Sequence, residues 1–307
     1  MRIVGIEEIR GSLVYSEIVE VMRAAVIAYS RGECDTPMPM HLAIEPEAEV
    51  HIKSSSRRGG KYFALKTAAT FPGNATRNLP VGGGMMLLSS AETGEPVAFL
   101  ADGGHLTDVR TAAVASMVAR ELGRSDRALG IVGTGIQARL QASLHAAVLP
   151  IERIALWGRT PERTEQCRRD LQALLPRIEV AVAGTPSDVA RAARLIVTCT
   201  ASRAPLLAAA DLAHDTHISA VGADSPGKQE LDSEILRRAA LLLADSRRQC
   251  EKLGELQHAP DQWARAVEIG KFCERGAVAA AGPTVCDFTG LGAEDLYIAE
   301  SVWEKLK

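Results

Sequence analysis

Gly130-Ile131-Val132-Gly133-Thr134-Gly135-Ile136-Gln137-Ala138-Arg139 is the stretch on which the reading of this chain turns. The apolar run Ala128 to Val132 leads into it with the character of a buried strand, and a helical pattern with Ile136, Leu140, Leu144 and Ala147 on one face leads out. Between them Gly133 permits the tight turn, Gly135 lets a pyrophosphate approach the backbone, and the small Ala138 allows helix and strand to pack closely. Gly133, Thr134, Gly135, Ile136 and Gln137 are therefore candidate dinucleotide-binding residues, with the positive end of the helix dipole facing the phosphates. A tight turn with no ligand is the alternative.

Outward from this turn the rhythm is strict. An alanine-rich helix, Thr111 to Leu122, closes on Gly123. Strands then follow at Ala128 to Val132, Arg153 to Trp157, Glu179 to Val182, Leu195 to Thr200, His217 to Gly222 and Leu241 to Asp245, in alternation with helices. Short continuous apolar strands separated by helices predict a Rossmann-type, doubly wound parallel α/β sheet. Thr160-Pro161 and Thr185-Pro186 each set a capping hydroxyl before a proline at a helix start.

The end of the second strand bears on the cofactor. Proteins that select NAD usually place an acid there, but Trp157 is followed by Gly158-Arg159-Thr160-Pro161-Glu162-Arg163. Arg159, Thr160 and Arg163 suit a 2′-phosphate, so NADP(H) is favoured and NAD(H) remains possible. Alternatively, the arginines only decorate an exposed helix start.

The first hundred residues read as a separate α+β region. A helix capped by Ser16 presents Ile18, Val19, Met22, Val26 and Tyr29 and ends at Gly32. Strand-like runs follow at Glu49 to Lys53, Lys61 to Thr67, Met85 to Leu88 and Pro96 to Leu100, the last two joined by the turn-rich Glu92-Thr93-Gly94-Glu95. Lys66 shares an alternating strand face with Tyr62 and Ala64, an unusual place for a lysine without an anionic partner. A snorkelling edge lysine is the alternative.

The 307 residues suit two domains, and 47% hydrophobic with 24% charged residues describes a globular chain. A net charge of −3 argues against a nucleic-acid partner and for small-molecule ligands. There is no signal-like start and no run approaching the roughly 20 apolar residues that span a bilayer, so a cytoplasmic protein without membrane association is expected. The six cysteines lack CxxC spacing and read as reduced and structural; the seven histidines contain no HExxH, so no catalytic metal is expected.

From about Lys61 to Asp295 the chain resembles the ornithine cyclodeaminase and mu-crystallin family. The resemblance is carried by Phe63-Ala-Leu-Lys66, Phe71-Pro-Gly-Asn74, Asn78-Leu-Pro80, Thr93-Gly-Glu-Pro96, Leu106-Thr-Asp-Val-Arg110-Thr111-Ala-Ala113, the cofactor turn with Gln137, and Ala220-Val-Gly-Ala-Asp224-Ser-Pro-Gly-Lys228-Gln-Glu-Leu-Asp232. It implies a homodimer whose residues 1–112 with 289–307 serve substrate binding and dimerisation, while 113–288 bind NAD(P). It further implies hydride transfer at the α-carbon of an amino acid or its cyclic imine, as in ketimine reductases and amino-acid dehydrogenases. Two other activities in the family are ornithine cyclodeaminase proper, which forms proline and ammonia, and non-catalytic NADPH binding.

Carried over by position, Lys66 and Arg110 correspond to the cations that hold the substrate carboxylate, and Asp224 to the acid/base at the reacting carbon and nitrogen. Read by itself, Arg110 just precedes the inter-domain helix, with a structural pair to Asp108 or Asp102 as the alternative. Asp224, after the strand ending at Gly222, lies at the sheet edge where such folds bind ligands. Partial burial there would raise its pKa, and Lys228 would lower it again or bind cofactor; a helix-capping loop aspartate is the alternative. Thr111, Thr200, Val221 and Thr289 are further cofactor candidates. The departures concern substrate. Met38-Pro39-Met40 stands where ornithine-binding members carry another arginine, Lys53-Ser-Ser-Ser56 replaces the usual Met-Pro, and Gly82-Gly-Gly84 makes one strand start glycine-rich.

Overall fold

The computed structural model describes residues 1–44, 48–276 and 280–307. The chain divides into two compact units, Met1–Thr111 with Leu291–Lys307, and Ala112–Gly290.

In the first unit the elements are β1 (Arg2–Gly5), α1 (Ile6–Ser12), α2 (Tyr15–Ser30), β2 (Cys34–Asp35), β3 (Met40–Ile44), β4 (Ala48–Arg57), β5 (Tyr62–Thr70), β6 (Gly82–Ser90), β7 (Pro96–Ala101), the start of α3 (His105–Glu121) and the C-terminal helix Gly292–Leu306. They form a mixed sheet in the order β1-β7-β6-β5-β4-β2, with β3 pairing β4. The period-2 alternation sets its two faces. Ser55, Ala64, Lys66, Met86, Leu88, Ala98 and Leu100 are buried on one, against which the C-terminal helix packs, with α2 lying on that helix. The other carries exposed Met40, Leu42, Ile44, Leu65 and Met85. Gly292 makes the helix contact possible, because a Cβ there would lie 2.4 Å from the Ser54 carbonyl oxygen.

Two expectations need correction here. Ser16 is not a cap: α2 begins at Tyr15, and the Val14 carbonyl receives the first-turn N–H groups of Glu17 and Ile18. Helix α3 starts at His105 rather than Thr111, because Asp102 Oδ2 accepts from Leu106 N at 2.7 Å and caps the turn. Gly103 and Gly104, both at positive φ, obscured that start.

In the second unit, after the rest of α3, come β8 (Ala128–Val132), α4 (Ile136–Val148), β9 (Arg153–Trp157), α5 (Pro161–Leu174), β10 (Glu179–Val182), α6 (Pro186–Ala192), β11 (Leu195–Thr198), β12 (Arg203–Leu207), β13 (His217–Ala220), β14 (Gln229–Leu231), α7 (Ser233–Arg238), β15 (Leu241–Ala244), α8 (Arg247–Leu253), β16 (Val267–Glu268), α9 (Ile269–Arg275) and β17 (Thr284–Asp287). Eight strands form a parallel sheet in the order β10-β9-β8-β11-β13-β17-β15-β16, and β12 pairs separately with β14. The order reverses between β8 and β11, the switch point at which doubly wound sheets bind ligands.

Strand β17 was not expected; its four residues include threonine, cysteine and aspartate, and all are buried between its neighbours β13 and β15. Strands β11, β13 and β15 stop short of the expected Thr200, Gly222 and Asp245. The N–H groups of Thr200 and Gly222 turn instead to the Glu230 carboxylate. In α4 the exposed Ile136 and Ala147 fall off the packed stripe, which is Ala138, Leu140, Gln141, Ala142, Leu144 and His145. Thr185 caps α6 through its side chain, whereas Thr160 precedes α5 without a side-chain cap bond. All six cysteines are free, and among the described residues no helix is long and apolar enough to cross a membrane.

Candidate active site

The glycine turn lies between β8 and α4. Gly133 has φ +136°, and a Cβ there would meet Cys199 atoms at 2.7 Å, so this close passage beside the loop after β11 admits only glycine. Gly135 caps α4 with open space where its Cβ would be, which leaves room for a phosphate against the backbone. Arg139 steadies the turn: Nη1 donates to the carbonyls of Thr134 and Gly135, both at 2.9 Å, while Nε donates to Asp170. Gln137 Oε1 accepts from Gln141 Nε2. These residues fit the pyrophosphate of a nicotinamide dinucleotide.

Past β9, Gly158 admits the Thr134 side chain, whose Cγ2 would lie 2.3 Å from a Cβ. Arg159 and Arg163 are exposed, and their guanidinium groups form no ion pair among the described residues. Thr160 is half-buried between them.

The strand ends on the other side of the switch are held by buried carboxylates. Glu230 accepts from Thr200 N at 2.6 Å and Gly222 N at 2.8 Å. Glu255 accepts from Glu230 N and Leu231 N, and Asp287 accepts from Glu255 N and Leu256 N. Burial pushes Glu230 and Asp287 up to about 7 and Glu255 well above the carboxylate range, with the backbone donors opposing it. Val221, nearly buried, returns its N–H to Thr198. Thr289 turns its N–H and hydroxyl to Asp245, at 2.7 and 3.1 Å, an anchoring role that the sequence did not disclose.

Asp224 differs from expectation. Its side chain is 48% exposed rather than partly buried, because it stands on the loop beyond β13, and Lys228 Nζ lies 2.6 Å from its Oδ1. It thus faces solvent in an ion pair with Lys228. Lys228 is committed to this carboxylate through a charged hydrogen bond.

The first unit holds a second constellation. Lys66 is 2% exposed, which excludes a snorkelling lysine. Its Nζ lies 3.4 Å from Asp295 Oδ2. Arg110, in the second turn of α3 rather than before the helix, donates from Nη1 to Glu294 at 2.8 Å and from Nε to Asp295 at 3.1 Å. Neither Asp102 nor Asp108 supplies these partners. Lys53 on β4 stands directly opposite Lys66 and is itself 9% exposed. Burial draws the Lys66 ammonium down to about 7, reinforced by Lys53 and Arg110 and opposed by Asp295. Burial pushes Asp295 up, but Lys66, Arg110 and Lys53 outweigh it and hold the carboxyl below its usual range. Thr111 spends its hydroxyl on the Thr107 carbonyl one turn earlier. Sequence reading missed Lys53, Glu294 and Asp295; the signals available were Lys53 at the altered Met-Pro position and the acidic pair closing the last family segment.

Comparison with known proteins then identifies the class. The chain belongs to the ornithine cyclodeaminase/mu-crystallin family, which matches residues 2–307. A putative dehydrogenase of Rhizobium meliloti is 35% identical, covering 97% of this chain and 94% of its own. The solved archaeal alanine dehydrogenase dimer with bound NAD is 28% identical with a TM-score of 0.89, covering 98% of this chain and 94% of its own. The iminosuccinate reductase of Paracoccus denitrificans, solved with NAD+, is 28% identical with a TM-score of 0.90, covering 99% and 95%.

Proposed function

We propose that this protein is an NAD(P)-dependent oxidoreductase acting at the α-carbon of an amino acid or its imine. The observation that carries the substrate class is the buried charge cluster, which gathers Lys53, Lys66 and Arg110 beside Glu294 and Asp295. Cationic side chains gathered in a buried site suit a carboxylate ligand. The similarity to an alanine dehydrogenase and an iminosuccinate reductase supports the same class.

The turn Gly133 to Gln137 would hold a nicotinamide dinucleotide, which would supply hydride chemistry at the α-carbon. Lys66 and Arg110 hold the carboxylate, which fixes the α-carbon in position. Asp224 takes the proton that leaves the amino nitrogen as the imine forms, and returns it in reduction. NADP(H) is preferred through Arg159, Thr160 and Arg163, although the solved relatives named above hold NAD or NAD+. The exposed apolar face of Met40, Leu42, Ile44, Leu65 and Met85 is covered by a second copy of the chain, since monomers rarely leave such patches bare.

The deciding experiment follows NADPH and NADH absorbance with a panel of cyclic and acyclic α-imino acids, and in reverse with amino acids. Imine-dependent oxidation of the cofactor is expected. Proline release from ornithine without net cofactor change would replace this reading with the cyclodeaminase one, and no turnover on any substrate would leave only cofactor binding.

A further inference from the structure

His41, Glu49 and His51 lie too far apart in sequence, and in too unfamiliar an order, to read as a metal motif. Pairing of β3 with β4 brings them together. His41 stands directly opposite His51, so the two share a face, and Glu49 lies two residues before His51 on that face. Both imidazoles converge on one oxygen: His41 Nε2 is 3.1 Å and His51 Nε2 3.3 Å from Glu49 Oε2. The three donor atoms all lie within 4.8 Å of one another.

These separations match a coordination shell. With zinc–nitrogen distances of about 2.0–2.1 Å and zinc–oxygen distances of about 2.0–2.2 Å, the nitrogen–oxygen edge of a tetrahedron is roughly 3.3–3.5 Å. The two histidine–glutamate spacings already approach that edge. The rings are tilted by 48° with centroids 5.0 Å apart, so they are not stacked on each other. Two imidazoles and one carboxylate suit a borderline transition ion better than calcium or magnesium, which prefer oxygen ligands. The His41 side chain is 45% exposed, which gives an ion a route in and room for water to complete the shell.

We propose that His41, Glu49 and His51 form a binding site for a divalent transition-metal ion of the zinc type, bridging β3 and β4. The site lies on the sheet face that carries Lys53 and Lys66, with His51 two residues from Lys53 along β4. The ion stitches the short strand β3, which among the described residues pairs only with β4, onto the strand that helps form the charge cluster. In its absence the Glu49 carboxylate accepts from His41 and pairs with His51, and that network is the competing account of the geometry.

The test is calorimetric titration of chelator-stripped, full-length protein with Zn2+, with thermal melts and zinc-edge absorption spectroscopy on the loaded protein. One equivalent per chain is expected, with a nitrogen/oxygen shell free of sulfur and a raised melting temperature. His41→Ala and His51→Ala should each weaken binding at least tenfold, and the double variant should lose it. His41→Ala alters an exposed position, so the folded state can be verified by circular dichroism. No stoichiometric uptake, a sulfur ligand, or unchanged uptake by the double variant overturns the proposal.

Discussion

Lys66 on β5 and Asp295 on the C-terminal helix pair at 3.4 Å with both side chains shielded from water. Removing one charge from such a pair strands the other in a poor solvent. Asp295→Asn is therefore expected to destabilise the fold by about 3–5 kcal/mol, read from the denaturant midpoint. Lys66→Met combined with Asp295→Leu should cost less than the sum of the two single changes. Additive costs would mean that the pair does not act as a unit.

Arg159 and Arg163 bear on the choice between the two nicotinamide cofactors. Replacing both with alanine is expected to reduce the NADPH-to-NADH affinity ratio at least tenfold, with most of the loss on NADPH. Fluorescence titration with each reduced cofactor measures it. An unchanged ratio removes the argument for a 2′-phosphate seat.

For Asp224, the Asn variant keeps the shape and loses the proton acceptor. Turnover should fall about 10²–10⁴-fold while cofactor affinity stays within a few-fold, because general acid–base catalysis contributes on that scale. Surviving activity would assign the proton transfer elsewhere.

His217 is buried in β13, between Thr284 and Ser219. Burial draws its pKa down to about 3, with Arg124 and His145 adding repulsion. The unfolded chain protonates this group below its ordinary pKa of 6.5 while the native state does not. Its contribution to stability is thus full above that pKa and lost as pH falls towards 3. The stability advantage of the wild type over His217→Asn should shrink between about pH 7 and about pH 5, by up to about 1.4 kcal/mol per pH unit. A constant difference would show that the imidazole charges without cost in the fold.

On the exposed face, Leu42→Glu places a charge among Met40, Ile44, Leu65 and Met85. Sedimentation should show a dimer for the wild type and a shift towards monomer for the variant. A wild-type monomer would refute the proposed assembly.

Local pattern accounts for what was legible in advance. Strands β8, β9 and β10 matched their expected runs residue for residue, because each is short, rich in apolar residues and bounded by turn residues. The inward placement of Lys66 followed from alternation alone. What escaped notice depends on tertiary neighbours. Glu294 and Asp295 reach Lys66 and Arg110 only when the C-terminal helix packs on the sheet, and His41 meets His51 only through strand register. The early start of α3 was hidden by a glycine pair whose positive φ angles serve the cap.

The buried carboxylates Glu230, Glu255 and Asp287 each grip the backbone of a segment other than their own, and Asp245 does the same for Thr289 and Gly290. The rim of the parallel sheet is consequently laced together, and its loops cannot change length one at a time without leaving a buried acid or amide unmatched. Anyone exchanging loops here to alter cofactor or substrate choice must transplant the acids together with the segments they clasp.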